Sequence, residues 1–298
     1  MEKICVVLST YNGEKYINEQ IDSLLAQTYD NIEILVRDDG SWDKTVDIVN
    51  GYCDKCPNVR LYKGNNIGVT LSFYELLQNI PDDAGYIALC DQDDVWLKDK
   101  LEVAVKALEG INGPALYFEK PLPVDEKLIP IKSNLYRNKP RIAFGNAIIE
   151  NVCTGCTMVF NRALYDIIDG KWPKHSLIHD WWIYQAAVCF GKVVYNEKPH
   201  IYYRQHSDNQ IGQDSSRLAL IKRQVFSLKK FRGKYTEQMY EFIKTFSPKG
   251  GNGYLAKLMV GTRKSIKCRW KILFEKRIFR QGKWDNILFK GMLFFGML

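Results

Sequence analysis

Hydrophobic positions alternate between two spacings along the first hundred residues. Ile4-Cys5-Val6-Val7-Leu8-Ser9 is a continuous β-rich apolar run, and Tyr16, Ile17, Ile21, Leu24 and Leu25 then recur at helical spacing. The exchange repeats with strand-like Ile32-Glu33-Ile34-Leu35-Val36 and a helix from Thr45 to Val49, for which Ser41 or Asp43 can serve as cap. Val59-Arg60-Leu61-Tyr62 is a short third strand. The turn-forming Gly64-Asn65-Asn66-Ile67-Gly68 leads into a helix over Leu71 to Leu77. Tyr86 to Leu89 is a fourth strand, and Lys98 to Leu108 a further helix. This order predicts an α/β fold, a mainly parallel sheet with helices on both faces. Ligands of such sheets bind beyond the carboxyl ends of the strands.

The middle of the chain is less regular. Ala115-Leu116-Tyr117-Phe118 and Thr157-Met158-Val159-Phe160 read as strands, separated by a loop-rich stretch with Pro121, Pro123, Pro130 and Pro140. Leu164 to Ile168 is a short helix, and His179-Asp180-Trp181-Trp182 opens one that runs to about Phe190. Val193-Val194-Tyr195 and His200-Ile201-Tyr202-Tyr203 are expected to complete the sheet.

Charge divides the chain unevenly. Ser216–Leu298 carries twenty Lys and Arg against four acids, a net of +16, and the preceding 215 residues carry 22 basic and 30 acidic residues, a net of −8. Two jobs for two parts are implied: a body over 1–215 and a basic helical extension over 216–298. The N-terminus passes directly into a strand-like run, so no secretory leader is expected, and no stretch reaches the roughly 20 apolar residues that span a bilayer. The eight cysteines include two C-x-x-C pairs, Cys53/Cys56 and Cys153/Cys156, about a hundred residues apart and unlike a compact zinc ribbon. Reduced thiols are expected.

Two acidic clusters sit where strands end. Asp38-Asp39 follows the second strand, and Asp91-Gln92-Asp93-Asp94 the fourth. Adjacent carboxylates repel and raise one another's pKa unless a cation neutralises them, and Mg²⁺ and Mn²⁺ favour such oxygen ligands. Neither G-x-G-x-x-G nor G-x-x-x-x-G-K-[ST] occurs, which disfavours dinucleotide and P-loop modes.

The chain resembles a family 2 glycosyltransferase of the GT-A fold, a Rossmann-like sheet with flanking helices. The residues that carry the likeness are Leu8-Ser9-Thr10-Tyr11-Asn12-Gly13-Glu14-Lys15-Tyr16-Ile17, Gln27-Thr28-Tyr29, and Arg37-Asp38-Asp39-Gly40-Ser41 with Asp43, Lys44 and Thr45. Asp91-Gln92-Asp93 matches the family's D-x-D motif, and the fuller Asp-Gln-Asp-Asp-Val-Trp is similar to the branch that includes bacterial rhamnosyltransferases. Gly155–Arg162, His179–Trp182 and Tyr203-Arg204-Gln205-His206 fit that branch too. The likeness covers about residues 1–212.

What the resemblance implies is specific. Asp39 would accept a ring N–H of the nucleotide base, with Thr10 and Tyr11 lining the same pocket; turn and cap chemistry is the plainer reading of Asp38 to Ser41. Asp93 would bind Mn²⁺ or Mg²⁺, Asp91 the ribose or the metal, and Asp94 would support them. His206 is a further candidate for metal or diphosphate, and Arg204 for the phosphates. Asp180 would be the general base, His179 its competitor and an N-cap role its alternative. Trp181 and Trp182 could stack on a sugar, one of them packing instead; Trp96 reads as core.

The expected activity is inverting transfer of a sugar, rhamnose by the resemblance, from a dTDP- or UDP-linked donor to a glycan acceptor, lipid-linked, at the cytoplasmic face of the membrane. A UDP-hexose-dependent hexosyltransferase and a non-catalytic sugar-nucleotide-binding or membrane-scaffold protein are the alternatives. A nucleotidyltransferase fits the acids but lacks the usual phosphate loop. In the extension, Leu218, Ile221, Val225 and Leu228 recur at helical spacing among lysines and arginines, 266–279 mixes aromatic with basic residues, and 287–298 is apolar but for Lys290. That pattern fits an anionic membrane surface; no nucleic acid is expected.

Overall fold

A computed structural model describes residues 1–132, 138–174, 177–206 and 233–297. The helical spacing at Leu218 to Leu228 lies outside the described residues. The chain forms two compact units that interleave in sequence: Met1–Asn138 with Cys153–Gly170 and Phe190–Asn209, and Lys139–Val152 with Lys171–Cys189 and Gln210–Leu298. The sequence pattern draws one boundary at 215, whereas the chain enters the second unit at Lys139, at Lys171 and finally at Gln210. The reason is visible in the side chains: 139–152 and 171–189 supply Ala147, Trp181, Trp182 and Gln185, and their partners Tyr235, Gln238 and Phe242 come from the tail.

The first unit is built on β1 (Lys3–Thr10), α1 (Ile17–Leu25), β2 (Ile32–Asp38), α2 (Thr45–Cys53), β3 (Val59–Lys63), α3 (Val69–Leu77), β4 (Ala84–Cys90), β5 (Val95–Trp96), α4 (Lys100–Leu108), β6 (Ala115–Glu119) and β7 (Leu122–Val124). Its seven-stranded sheet has the order β3-β2-β1-β4-β8-β6-β9, with β8 (Val159–Asn161) and β9 (Lys192–Asn196). Every pairing is parallel except those of β8, which runs antiparallel to both β4 and β6. Ile4, Val6 and Leu8 of β1 pack into a core with Ile17, Ile21 and Leu24 of α1 and Leu101 and Leu108 of α4. The alternate residues Cys5 and Val7 are equally buried on the opposite face. Burial on both faces explains why β1 reads as an unbroken apolar run.

β10 (Ile201–Arg204) does not complete that sheet, contrary to expectation. It pairs antiparallel with β5 and parallel with β7 in a separate three-stranded sheet. This small sheet matters for the site, because β5 follows Asp94 directly and β10 leads into His206. The first unit also holds α6 (Arg162–Ile168).

The second unit holds α5 (Phe144–Ala147), α7 (His179–Phe190, apart from its last residue), α8 (Lys234–Phe246), α9 (Gly250–Gly261), α10 (Ile266–Phe274) and α11 (Lys283–Phe294). Its interior is aromatic. Trp182 meets Phe242 and Phe246, Trp181 meets Tyr235 edge-on, and Tyr235 meets Phe289. No helix among the described residues is long and apolar enough to cross a membrane.

Candidate functional site

The strand order places the site. β2 and β3 lie on one side of β1 and β4 on the other, so the crevice at the carboxyl ends of β1 and β4 is the switch point of the sheet. Register makes those ends level: Thr10 pairs with Asp38, and Leu8 with Cys90. Thr10, Asp39, Asp91 and Gln92 therefore gather at one edge, although they are up to 82 residues apart in sequence.

Asp39 is buried, and its carboxylate is well held. Oδ1 accepts from Arg37 Nη1 at 2.6 Å and from the Ile67 N–H at 2.9 Å, and Oδ2 accepts from the Gly68 N–H at 2.8 Å. A carboxylate has about four lone-pair positions, so Oδ2 retains acceptor capacity. Gly40 beside it has φ +82°, and a Cβ there would stand 3.0 Å from the Asn66 backbone nitrogen, which strains any other residue. Asp38 instead caps its own turn, accepting from the Gly40 and Ser41 N–H groups.

Gln92 is a site residue the sequence reading passed over. Its Oε1 accepts from Thr10 Oγ1 at 2.7 Å and from the Tyr11 N–H at 2.9 Å, and its Nε2 donates to the Tyr11 carbonyl. The middle residue of D-x-D thus fixes the end of β1. Gly13 accommodates it, since a Cβ there would lie 2.4 Å from Gln92 Oε1. A second feature that went unread is a latch between the loops after β1 and β2. Asn12 N–H donates to Ser41 Oγ, Gly13 N–H to Thr45 Oγ1 and Glu14 N–H to Asp43 Oδ2. In return Trp42 N–H donates to Asn12 Oδ1 and Lys44 N–H to Glu14 Oε2. Such reciprocal partners have no sequence period to betray them. Asp43, offered as a cap, bonds the N–H of Thr45 at the start of α2.

The structure brings Asp93 and His206 together. Asp93 Oδ2 lies 2.8 Å from His206 Nε2, and the imidazole rests on the Tyr16 ring with centroids 5.0 Å apart. Asp94 is fully buried; burial, then the charges of Asp93 and Asp91, push its carboxyl well above the usual range. It accepts the Arg204 N–H and the Cys156 thiol proton, and ligand atoms of Asp91, Asp94 and Cys156 all lie within 4.8 Å of one another. Burial, then Asp94, pushes the Cys156 thiol up as well. A protonated thiol is a poor ligand for a hard cation. The nearby donor types that suit Mn²⁺ or Mg²⁺ are the Asp91 and Asp93 carboxylates and the His206 imidazole, and Asp94 and Cys156 lie buried beside Asp91.

Arg204 is a correction. Expected on the donor's phosphates, it is 2% exposed and engaged by the protein itself. Nε donates to the Asp93 carbonyl at 2.8 Å, Nη1 to the Glu126 carbonyl at 2.5 Å, and Nη2 to Glu19 Oε2, while the guanidinium sits 4.6 Å from the Tyr16 ring centroid. Its task is to hold the acidic loop in shape. A buried triad lies beyond that loop. Lys100 Nζ pairs with Glu119 Oε1 at 3.1 Å, and Glu119 Oε2 meets His200 Nδ1 at 2.9 Å. Burial raises the Glu119 carboxyl, but Lys100, His200 and Tyr117 outweigh it and hold the group below its ordinary 4.5.

In the second unit, Asp180 is buried in the first turn of α7, at its second residue rather than at the cap position. A carboxylate there also suits the helix dipole. His179 is buried too, and burial lowers its pKa to about 3, so it is neutral and a poor base near neutral pH. Trp181 and Trp182 correct the stacking expectation. Trp182 is fully buried with its indole N–H on the Lys171 carbonyl, and Trp181 donates to the Ala147 carbonyl at 2.6 Å. Both pack in the interior of this unit. Trp96, read as core, is buried.

Comparison with known proteins bears on the family and the fold. The sequence profile of the family described as Glycosyl transferase family 2 matches residues 5–169. The dTDP-rhamnosyl transferase RfbG of Shigella flexneri is 31% identical over 227 residues, covering 72% of this chain and 77% of that protein. An uncharacterized glycosyltransferase of Rickettsia typhi is 28% identical over 68% of this chain and 64% of its own length. Among solved structures, S. aureus TarS 1-349 in complex with UDP-GlcNAc superposes with a TM-score of 0.63 at 17% identity, covering 92% of this chain and 76% of that one. The mannosyltransferase PcManGT from Pyrobaculum calidifontis, in complex with GDP-Man and Mn2+, gives 0.55 at 16% identity, covering 99% and 86%. The chain belongs to glycosyl transferase family 2 and has the GT-A fold.

Proposed function

We propose that this family 2 member is a metal-dependent, inverting glycosyltransferase. It moves a sugar, rhamnose in our reading, from a dTDP- or UDP-linked donor to a lipid-linked glycan in cell-surface polysaccharide synthesis, at the cytoplasmic face of the membrane. The observation that carries the reading is the convergence of Thr10, Asp39, Asp91 and the Asp93–His206 pair on the switch-point edge of the first unit. The rhamnosyl donor is favoured by the likeness to the Shigella dTDP-rhamnosyl transferase. A UDP-hexose donor is the second reading, favoured by the UDP-GlcNAc in the TarS structure.

Each residue has a task. Asp39 Oδ2 takes the ring N–H of uracil or thymine, and the main chain at Thr10 and Tyr11, pinned by Gln92, lines the base pocket. Asp91, Asp93 and His206 would hold Mn²⁺ or Mg²⁺, which when bound offsets the charge of the leaving diphosphate. Arg204 keeps the carbonyl of Asp93 in place and so aims its carboxylate. Asp180 takes the proton from the acceptor hydroxyl as the oxygen attacks the anomeric carbon. Its neighbour His179, with a pKa near 3, is unsuited to that task.

Asp180→Asn tests the mechanism. Transfer should fall by roughly 10²- to 10⁴-fold, the range for loss of a general base. Thermal stabilisation by dTDP or UDP with Mn²⁺ should persist. Transfer at the wild-type rate would remove Asp180 from the role.

A further inference from the structure

We infer that α10 and α11 form the surface by which this protein docks on an anionic phospholipid bilayer. The inference deepens the membrane part of the proposed function and stands on the second unit alone. Residues 263–297 hold ten Lys and Arg against two acids, a net of +8. Salt bridges engage Arg263, Arg277 and Arg280, and Lys290 caps α10 by donating to the Leu273 and Glu275 carbonyls. Lys264, Lys267, Lys271, Lys276 and Lys283 are exposed and join no salt bridge among the described residues.

α11 buries Phe289, Met292 and Leu293, but these helices and the residue after α11 also leave large apolar side chains outside. Ile266, Trp270, Phe274, Trp284, Ile287 and Phe295 are all more than half exposed, and Trp284 reaches 82%. Trp270 and Phe274, one turn apart, lie parallel, and Phe294 of α11 meets Trp270 edge-on at 5.0 Å, joining the aromatic residues of both helices. α10 fully buries Ile272 alone, whereas α7 buries nine of its twelve residues. A helix packed for stability would turn its aromatic residues inward; this one faces solvent with aromatic and cationic groups together. Trp, Phe and Ile interleaved with lysines fit the headgroup boundary of a bilayer, where rings settle at the interface and ammonium groups meet lipid phosphate. Isolated aliphatic side chains such as Ile266 and Ile287 have no counterpart on a nucleic acid. At 12 residues α11 is about 18 Å long, too short for a hydrocarbon core of about 30 Å, so it lies in the interface.

Vesicle co-sedimentation of the full chain tests this, with phosphatidylcholine vesicles compared to phosphatidylcholine–phosphatidylglycerol vesicles at about 0.1 M salt. Binding should require phosphatidylglycerol and should weaken roughly tenfold or more in Trp270→Ser/Phe274→Ser/Trp284→Ser and, separately, in Lys264→Glu/Lys267→Glu/Lys271→Glu. Stabilisation of these variants by nucleotide and Mn²⁺ should match wild type, which separates failure here from failure of the donor-site reading. If the aromatic variant does not fold, quenching of wild-type tryptophan emission by brominated phosphatidylglycerol decides. Unchanged binding by both variants, absence of quenching, or binding to polyuridylate or polyglutamate in place of vesicles overturns the inference.

Discussion

In the first unit the polar groups at the strand ends are held by the chain itself. Asp39 has three donors, Gln92 clasps Thr10 and Tyr11, and Arg204 is closed around Asp93, Glu126 and Glu19. In the second unit the interior is aromatic and tightly joined, yet α10 and α11 present bare tryptophan, phenylalanine and lysine. The contrast separates two kinds of recognition. Preorganised carboxylates, fixed at known separations, suit a small polyanion read through a cation. A spread of rings and flexible ammonium groups suits an extended anionic surface that needs no register.

The comparison can be broken most sharply at the buried triad. Glu119→Ala leaves the buried Lys100 without its carboxylate partner, which should cost about 3–5 kcal/mol. The outward Trp284→Ser should stay within about 0.5 kcal/mol, as surface substitutions do. Urea unfolding of the two variants measures both; equal effects would mean that the units are not organised as described.

A smaller effect distinguishes the units by pH. His179 is neutral in the folded second unit down to about pH 3, whereas the unfolded chain protonates it near its ordinary 6.5. Between those values the unfolded state binds the extra proton, so stability falls as pH drops, by about 1.4 kcal/mol per unit. From pH 7 to pH 5 the loss is about 2 kcal/mol. Glu119, held below its ordinary 4.5, loses its contribution only at lower pH. His179→Phe should flatten the slope between pH 7 and 5; a slope as steep as wild type would assign it elsewhere.

Much of the first unit was legible in the chain. β1, β2 and β4 are long apolar runs because they are buried on both faces, and their acidic ends stand where sheet topology puts ligands. Two- and three-residue strands such as Val95-Trp96 and Leu122-Pro123-Val124 are too short to show a period, so the sequence pattern hides the second sheet and places β10 in the first. Carboxylates were easier to place than their supports. Residue type suggests phosphate for Arg204 and sugar for Trp181 and Trp182, but burial and hydrogen-bond partners decide, and these come from residues far away in sequence. Gln92 is hidden for the same reason, since its partners Thr10 and Tyr11 lie far away in sequence.

The central claim is that Asp91, Asp93 and His206 hold the cation through which a nucleoside diphosphate binds. Thermal shift with dTDP and UDP, each with and without Mn²⁺, on wild type and Asp93→Asn, tests it directly. The expected result is stabilisation that needs both nucleotide and Mn²⁺ in wild type and is lost in Asp93→Asn. Equal stabilisation without Mn²⁺, or an Asp93→Asn variant that responds like wild type, would contradict it.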